Sequence, residues 1–548
     1  MRRILPVLLT VAAAVVAWPA DAGATPVIVL GRGGRVSVRD DPYVSATALT
    51  PAPEATSPGA GRLAGAAGAF APAARAAAAG AFAPAARAAT VSPGRRRAAG
   101  PGRDRPRARQ ITFFGALLGL YRSGRLAPGA YATAAASFRA ALLEERRLTG
   151  ARRSELEAVT ETMHQIAASH QLTPSRLPAI EATLDANRLW WADGPMPAAD
   201  QRVEFAGSQL VWQYYPGQGI QLQVLASFGK ADALYAAGPA HYRQLVALLG
   251  QLIPLASDRA GSLAWEYWFH FDGGSPPWTS AMSQATALEA LSRAYLATGD
   301  SWYLSVADQA LPLFTRPPPA GVAVKTPLGV RFLQYTFAPG EAILNAFLQA
   351  LIGLHAFAQA SGNPLAAALF SAGNAEAQAE VPAYNTGAWS LYAPGVEDTL
   401  GYHELVTGLL SELCSLTSAP VYCTTASDFQ ADLHTPPVLE QLTVSARARS
   451  PFALRFRLSK YSHVGIVVTL GSRTVLETSG WFAYGVNAFL IPPLRAPGLY
   501  GVRIAATDLA GNFARIAGAL SVRPAPRPAR SRPARSRPGR RARSARRA

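Results

Sequence analysis

At 548 residues, with 49% hydrophobic side chains, the chain is too long for one ordinary domain and has ample material for a large core. Its net charge of +18 resembles a nucleic-acid signal until it is located. Residues 523–548 hold eleven arginines and no acid, residues 95–109 hold seven arginines and one aspartate, and the remainder is close to neutral. The basicity therefore belongs to Pro/Arg/Ser runs that cannot bury a core, which argues against a specific nucleic-acid surface on a folded domain.

Residues 1–24, MRRILPVLLTVAAAVVAWPADAGA, place two arginines before a short apolar run and small-residue cleavage options. This predicts a secretory signal peptide and a secreted or cell-surface protein, with no membrane span once it is removed. Residues 25–109 are rich in Ala, Pro, Gly and Arg, and AGAFAPAARAA occurs twice in them. They read as a linker, apart from a short strand at 26–30.

Order is expected from residue 110. Helical spacing of apolar residues predicts helices over 111–121, 130–148, 154–170 and 177–192, with Ser154 and Glu157 as a capping box. Strands are expected at 202–215 and 220–226, a helical stretch at 230–255 and a β-like stretch at 262–274. Further helices are expected at 280–297, 301–313, 341–360 and 400–416. Helical hairpins separated by short strands and aromatic loops indicate a mainly α domain over 110–434, an incomplete α/α toroid with β insertions. From 435 to 523 the pattern changes to alternating apolar and polar residues with Gly, Pro and Asn breaks. This predicts a small Ig-like β-sandwich. The basic tail, 524–548, offers salt-sensitive contact with polyanions.

The most chemical segment is YNTGAWSLYAPGVEDTLGYHELVTGLLSELCSLTSAPVYC, residues 384–423. It brings Tyr392, Tyr402, His403 and the acids Glu397 and Asp398 together before a helix, a composition suited to proton transfer. Cys414 and Cys423 flank Pro420, and in an exported protein this spacing predicts a local disulfide. No Cys or His cluster has metal-ligand spacing, so no metal is expected.

This segment resembles the C-terminal domain of the D-glucuronyl C5-epimerases. SPPWTSAMSQATALEALSRAYLATGD (275–300), FLQYTFAPGEAILNAFLQALIGL (332–354) and QYYPGQGIQLQVLASFGKA (213–231) are similar to the same family. The resemblance implies a toroidal fold, an acidic polysaccharide substrate and inversion at C5 of glucuronate without a cofactor. It also places catalytic phenols at Tyr392, Tyr402 and Tyr335. Gln334 departs from the family, which has a glutamate there. An amide cannot carry a proton as a carboxylate does, so Glu341, expected at a helix start, is a candidate substitute. Arg331 and Lys230 are candidates for holding substrate carboxylates, and His403 for substrate contact. Trp389, Tyr215, Tyr214 and Trp278 are candidates for stacking on sugar rings. Two other readings share these residues: a polysaccharide lyase that begins with the same proton abstraction, and a non-catalytic glycan-binding protein, which Gln334 favours.

Overall fold

A computed structural model describes residues 25–44 and 111–525. The expected signal peptide, most of the expected linker and nearly all of the basic tail lie outside the described residues. Two compact units part between Thr435 and Pro436.

The first unit begins earlier than its composition implies. Residues 25–44, expected to be linker beyond one short strand, carry β1 (Thr25–Leu30) and β2 (Val36–Asp41). With β3 (Arg202–Phe205), β4 (Trp212–Tyr215) and β5 (Gly219–Leu222) they form one sheet of order β2-β1-β3-β4-β5. β1 runs parallel to β3 and the other pairs are antiparallel. The cause is electrostatic as well as apolar. Asp41 is buried and sits 3.0 Å from Lys230 Nζ and 3.1 Å from Arg202, both buried too.

Twelve α-helices occur among the described residues. The first four are α1 (Phe113–Arg122), α2 (Pro128–Arg147), α3 (Gly150–Ala168) and α4 (Leu177–Asp193), which pack among themselves. The others are α5 (Val224–Ala236), α6 (Tyr242–Leu252), α7 (Ala281–Thr298), α8 (Trp302–Ala310), α9 (Leu344–Ser361), α10 (Pro364–Glu380), α11 (Leu400–Thr417) and α12 (Pro420–Asp432). These alternate in place. α5, α7, α9 and α11 are successive neighbours, and α6, α8, α10 and α12 each pack on the member before them. α7 and α9 are buried over most of their surface, as helices in the middle of such a layer must be. Gly353 of α9 shows how close they come. A Cβ there would lie 2.1 Å from the Ala285 carbonyl oxygen of α7, so only glycine fits.

Several sequence expectations need correction. Ser154 does not cap a helix; α3 starts at Gly150, and the Ser154 hydroxyl donates to the Gly150 carbonyl inside it. The stretch 230–255 is two helices, parted at Gly238-Pro239, where φ of Gly238 is 93°. The β-like stretch 262–274 is one strand of a hairpin (Ser257–Arg259 with Ser262–Ala264) followed by loop, with Tyr267 bridged to Trp278. α10 and α12 were not expected. Their alanine- and threonine-rich sequences have weak amphipathic patterning, so packing on α9 and α11 selects them.

Cys414 and Cys423 are disulfide-bonded, which ties the end of α11 to the start of α12. The second unit holds a three-stranded and a five-stranded sheet. Leu454, Phe456 and Leu458 of one sheet share a core with Ile466, Val502 and Ile504 of the other. Among the described residues no helix is long and apolar enough to cross a membrane.

Candidate active site

A loop, a short strand and a helix start of the first unit deliver three tyrosines to one place. The hairpin Ala323–Lys325 with Val330–Phe332 leads into Tyr335. Its loop is stitched to the start of α7: Ala281 N–H donates to the Leu333 carbonyl at 2.8 Å and Thr336 N–H to the Thr279 carbonyl at 3.2 Å. Tyr392 lies on the short strand Leu391–Ala393, paired with Val396–Glu397. Tyr402 stands in the first turn of α11, where Thr399 caps the helix by accepting the Tyr402 N–H.

The rings of Tyr392 and Tyr402 are 5.2 Å apart, edge to face. The hydroxyls of Tyr392 and Tyr335 are hydrogen-bonded to each other, and the Gln334 side chain bonds Tyr335 as well. All three rings are less than a tenth exposed. Burial pushes every phenol up. Tyr335, whose anion would receive two hydrogen bonds, is held to about 12, whereas Tyr392 and Tyr402 are driven much higher. Of the three, Tyr335 is the easiest to ionise.

Two further phenols border this group. Tyr267 is buried and pushed to about 12, and it accepts a hydrogen bond from Leu225 N–H at 3.2 Å. Tyr215 stacks on Phe269 at 4.5 Å, and Gln223 donates to its hydroxyl. Both feel the charge of Tyr335. Below them runs an aromatic floor: Trp278 stacks on Tyr267 at 4.2 Å, and Phe337 on Tyr335 at 5.1 Å. Tyr267 is not singled out by the sequence because AWEYWFHF reads as core-packing strand, and only the hydrogen bond from Leu225 N–H shows where its hydroxyl goes.

The other candidates divide. Gln334 lies beside Tyr335, and its amide oxygen accepts from Ser280 Oγ at 3.2 Å. Glu341 is exposed and precedes α9, which starts at Leu344, so the expected helix-dipole stabilisation does not apply. Partial desolvation of the carboxyl by the surrounding loops and the nearby Asp272 raise it, and its charge reaches Tyr335.

Arg331 is not a carboxylate clamp at the phenols. Its guanidinium pairs with Glu380 and contacts the Tyr384 hydroxyl, so its charge is already matched. Lys230 is 1% exposed and is consumed by Asp41, far too buried to meet a polymer. Trp389 and His403 do not face a sugar either. They stack on each other at 3.7 Å, both wholly buried, and Trp389 Nε1 donates to the Asp398 carbonyl. Tyr214 is buried and donates to Glu155 at 2.7 Å, a contact that ties β4 to α3. Trp278 is buried in the aromatic floor. Arg331, Lys230 and Tyr214 read as free in sequence because Glu380, Asp41 and Glu155 are 49 or more positions away.

Among the described residues no cluster of His, Cys, Asp and Glu has the geometry to hold a metal ion. What the site offers is phenolic hydroxyls in hydrogen-bonded contact, two amides and an aromatic wall. Such a set can exchange protons with a C–H that is acidified by its own neighbouring group.

Residues 259–431, which contain Tyr267, Tyr335, Tyr392 and Tyr402, match the profile of the D-glucuronyl C5-epimerase C-terminus. This segment belongs to that family. A D-glucuronyl C5-epimerase of Caenorhabditis elegans is 30% identical over 172 residues, 28% of this chain and 28% of that protein. An uncharacterized protein of Methanocaldococcus jannaschii is 31% identical over 147 residues, 26% of this chain and 46% of that one. The chain thus spans less than half the length of either relative. Among solved structures, a GH76 α-mannanase of Bacteroides thetaiotaomicron aligns at 11% identity and a TM-score of 0.30, covering 42% of this chain and 65% of that one. An unsaturated glucuronyl hydrolase of Bacillus sp. GL1 aligns at 13% identity and a TM-score of 0.23, covering 54% of this chain and 72% of that one.

Proposed function

We propose that the first unit inverts C5 of glucuronate residues in an acidic polysaccharide, by removing the C5 proton and returning one to the opposite face. The observation that carries this reading is the contact of Tyr335, Tyr392 and Tyr402, brought from a loop, a strand and a helix start within the segment that matches the epimerase profile. Inversion needs a base on one face of the ring and an acid on the other. Tyr335 suits the base, since the hydrogen bonds from Tyr392 and Gln334 stabilise its anion. Tyr392 and Tyr402, which burial keeps protonated, suit the donor side, because the carbanion left at C5 is a stronger base than a phenolate. The reaction asks for no cofactor, because the uronate carboxylate itself delocalises the charge left at C5. On this reading the inner and outer helices form an arc of an α/α toroid, the second unit is an Ig-like module, and the protein is exported to act on a polymer outside the cell.

Gln334 favours a second reading, a non-catalytic glycan-binding scaffold, because it lacks the carboxylate its relatives place there. Incubation of the full chain with heparosan and other uronate polymers in deuterated water separates these readings. Deuterium at C5, with inversion, supports the epimerase. A product absorbing in the ultraviolet indicates elimination, hence a lyase. Binding without exchange supports the scaffold. Tyr402→Phe should lower exchange by about 10²-fold or more, the scale of a lost acid or base, with an unchanged fold. Gln334→Glu should preserve or raise exchange.

A further inference from the structure

The five-stranded sheet of the second unit has one face in its core and one outside it. On the central strands Ser462–Leu470 and Gly498–Asp508, Val464, Ile466, Val502 and Ile504 enter the core shared with the other sheet. The residues that alternate with them form the outer face. The pairing register aligns one row across that face: Trp481, His463, Thr507 and Phe513, each directly opposite the next. Trp481 and Phe513 end the row and are 54% and 56% exposed. Three strand spacings, about 14 Å, separate them. Trp481 is braced as well. Tyr461 stacks on it at 5.2 Å with an interplanar angle of 10°, and the His463 ring meets it at 5.3 Å. Aromatic surface held in one orientation in water marks a binding face more than a solvent face.

The neighbouring row holds Ser479, Gly465, Ala505 and Arg515, so the floor between the two aromatics is small. A Cβ at Gly465 would meet no atom within 4 Å, so the space above it is open. Arg515 stands two residues from Phe513 on one strand, and Arg503 lies one row further on, both exposed. Residues 436–525 contain ten Lys and Arg against three acids, Glu440, Glu477 and Asp508. Glu440 is paired with Arg457 and Asp508 with Lys460, and among the described residues neither Arg503 nor Arg515 takes part in an ion pair. Glu477 shares the outer face, in the row of Arg503. The face therefore carries aromatic rings, a low floor and an excess of cations.

We propose that this face is a second glycan site, which holds a uronate polymer with its sugar rings along the row over Gly465 and Ala505. The apolar C–H faces of the sugars stack on Trp481 and Phe513, and uronate carboxylates take the guanidinium forks of Arg515 and Arg503. A nucleic acid fits less well, because it carries a charge at every residue and this face sets its two arginines beside Glu477 on a neutral floor. The choice of a uronate rests on the epimerase reading; the binding of an acidic glycan does not.

The test is affinity electrophoresis of the full chain through gels that contain heparosan, another uronate polymer or oligo-dT. Trp481→Ala changes no charge, so the basic tail contributes equally in both proteins. It should raise the dissociation constant for the uronate polymers about fivefold, the scale of one aromatic contact. Arg503→Ala combined with Arg515→Ala should weaken the same binding and reduce its salt dependence. Val486→Ala, at a position 44% exposed on the other sheet, should leave it unchanged. Circular dichroism checks that each variant folds. Uronate-polymer retention that is unchanged in both the Trp481 and the arginine variants overturns the proposal. Loss of oligo-dT retention alone would assign the face to nucleic acid, and loss of a dimer in sedimentation without loss of glycan retention would assign it to a second copy of the chain; either overturns it too. If wild type exchanges no uronate polymer, the epimerase reading fails while the retention series still decides this site.

Discussion

Lys230 provides the sharpest separation of a structural role from a substrate role. Its Nζ lies 3.0 Å from Asp41 Oδ2, and Arg202 is 3.1 Å from the same oxygen, with all three side chains at most 3% exposed. Burial alone would raise the Asp41 carboxyl, but the Lys230 and Arg202 cations outweigh it and hold the group below its usual range. Asp41→Asn leaves two buried cations without their counter-charge, a loss on the order of 3–5 kcal/mol. For a unit of this size that corresponds to a fall of roughly 4–7 °C in the thermal midpoint. Lys230→Met keeps the Arg202 pair and should cost less, about 1.5–3 kcal/mol. The sign of the pH dependence follows from the depressed carboxyl. Its contribution is present above the unfolded value of 3.8 and lost as pH falls through the lower folded value. Circular dichroism melts of the full chain at pH 7 and near pH 3 measure both effects, and the wild-type to Asp41→Asn gap should shrink at the acid end. If Lys230→Met melts like wild type and instead raises KM for a uronate polymer tenfold, the reasoning is refuted and Lys230 returns to the substrate site.

Two other outcomes are expected. Burial raises Glu412 to about 7, aided by Glu289 and opposed by Arg293, and Asp232 in the same cluster is raised too. A carboxyl with a raised folded value loses stability as pH climbs from its unfolded value toward the folded one. The melting temperature should therefore decline between about pH 4.5 and 7, and Glu412→Gln should flatten that decline; an unchanged slope would remove Glu412 as its source. Cys414→Ser opens a covalent loop with a separation of 9 residues, which on the chain-entropy account costs about 2.5 kcal/mol. Denaturant unfolding under non-reducing conditions measures it, and a midpoint equal to wild type would show that α12 packs as well without the link.

Local patterning made some of this protein legible and left other parts hidden, for identifiable reasons. Helices such as α7, α9 and α11 declare themselves because long apolar runs and end signals are encoded within the helix itself, as at Gly299 after α7. α10 and α12 do not, since the face that selects them lies on α9 and α11. β1 and β2 are invisible as part of the first unit because their decisive partners, Arg202, Glu204 and Lys230, are more than 150 positions away.

The same distinction divides the site. Tyr335, Tyr392 and Tyr402 stood out because phenols before a helix or after a hairpin are unusual enough to notice, and family resemblance supplied their grouping. Arg331, Lys230, Trp389 and His403 looked equally available, but availability is a property of the folded neighbourhood. Glu380, Asp41 and the Trp389–His403 stack each remove a candidate from the substrate side. Removal is itself informative. His403 contacts both the peptide N–H and the hydroxyl of Ser390, the Ser390 hydroxyl donates to Asp398 Oδ2, and the charge of Asp398 reaches Tyr392 and Tyr402. The sequence run from Trp389 to His403 therefore encodes two of the phenols, Tyr392 and Tyr402, together with the buried hydrogen-bond chain His403–Ser390–Asp398 that fixes the segment between them.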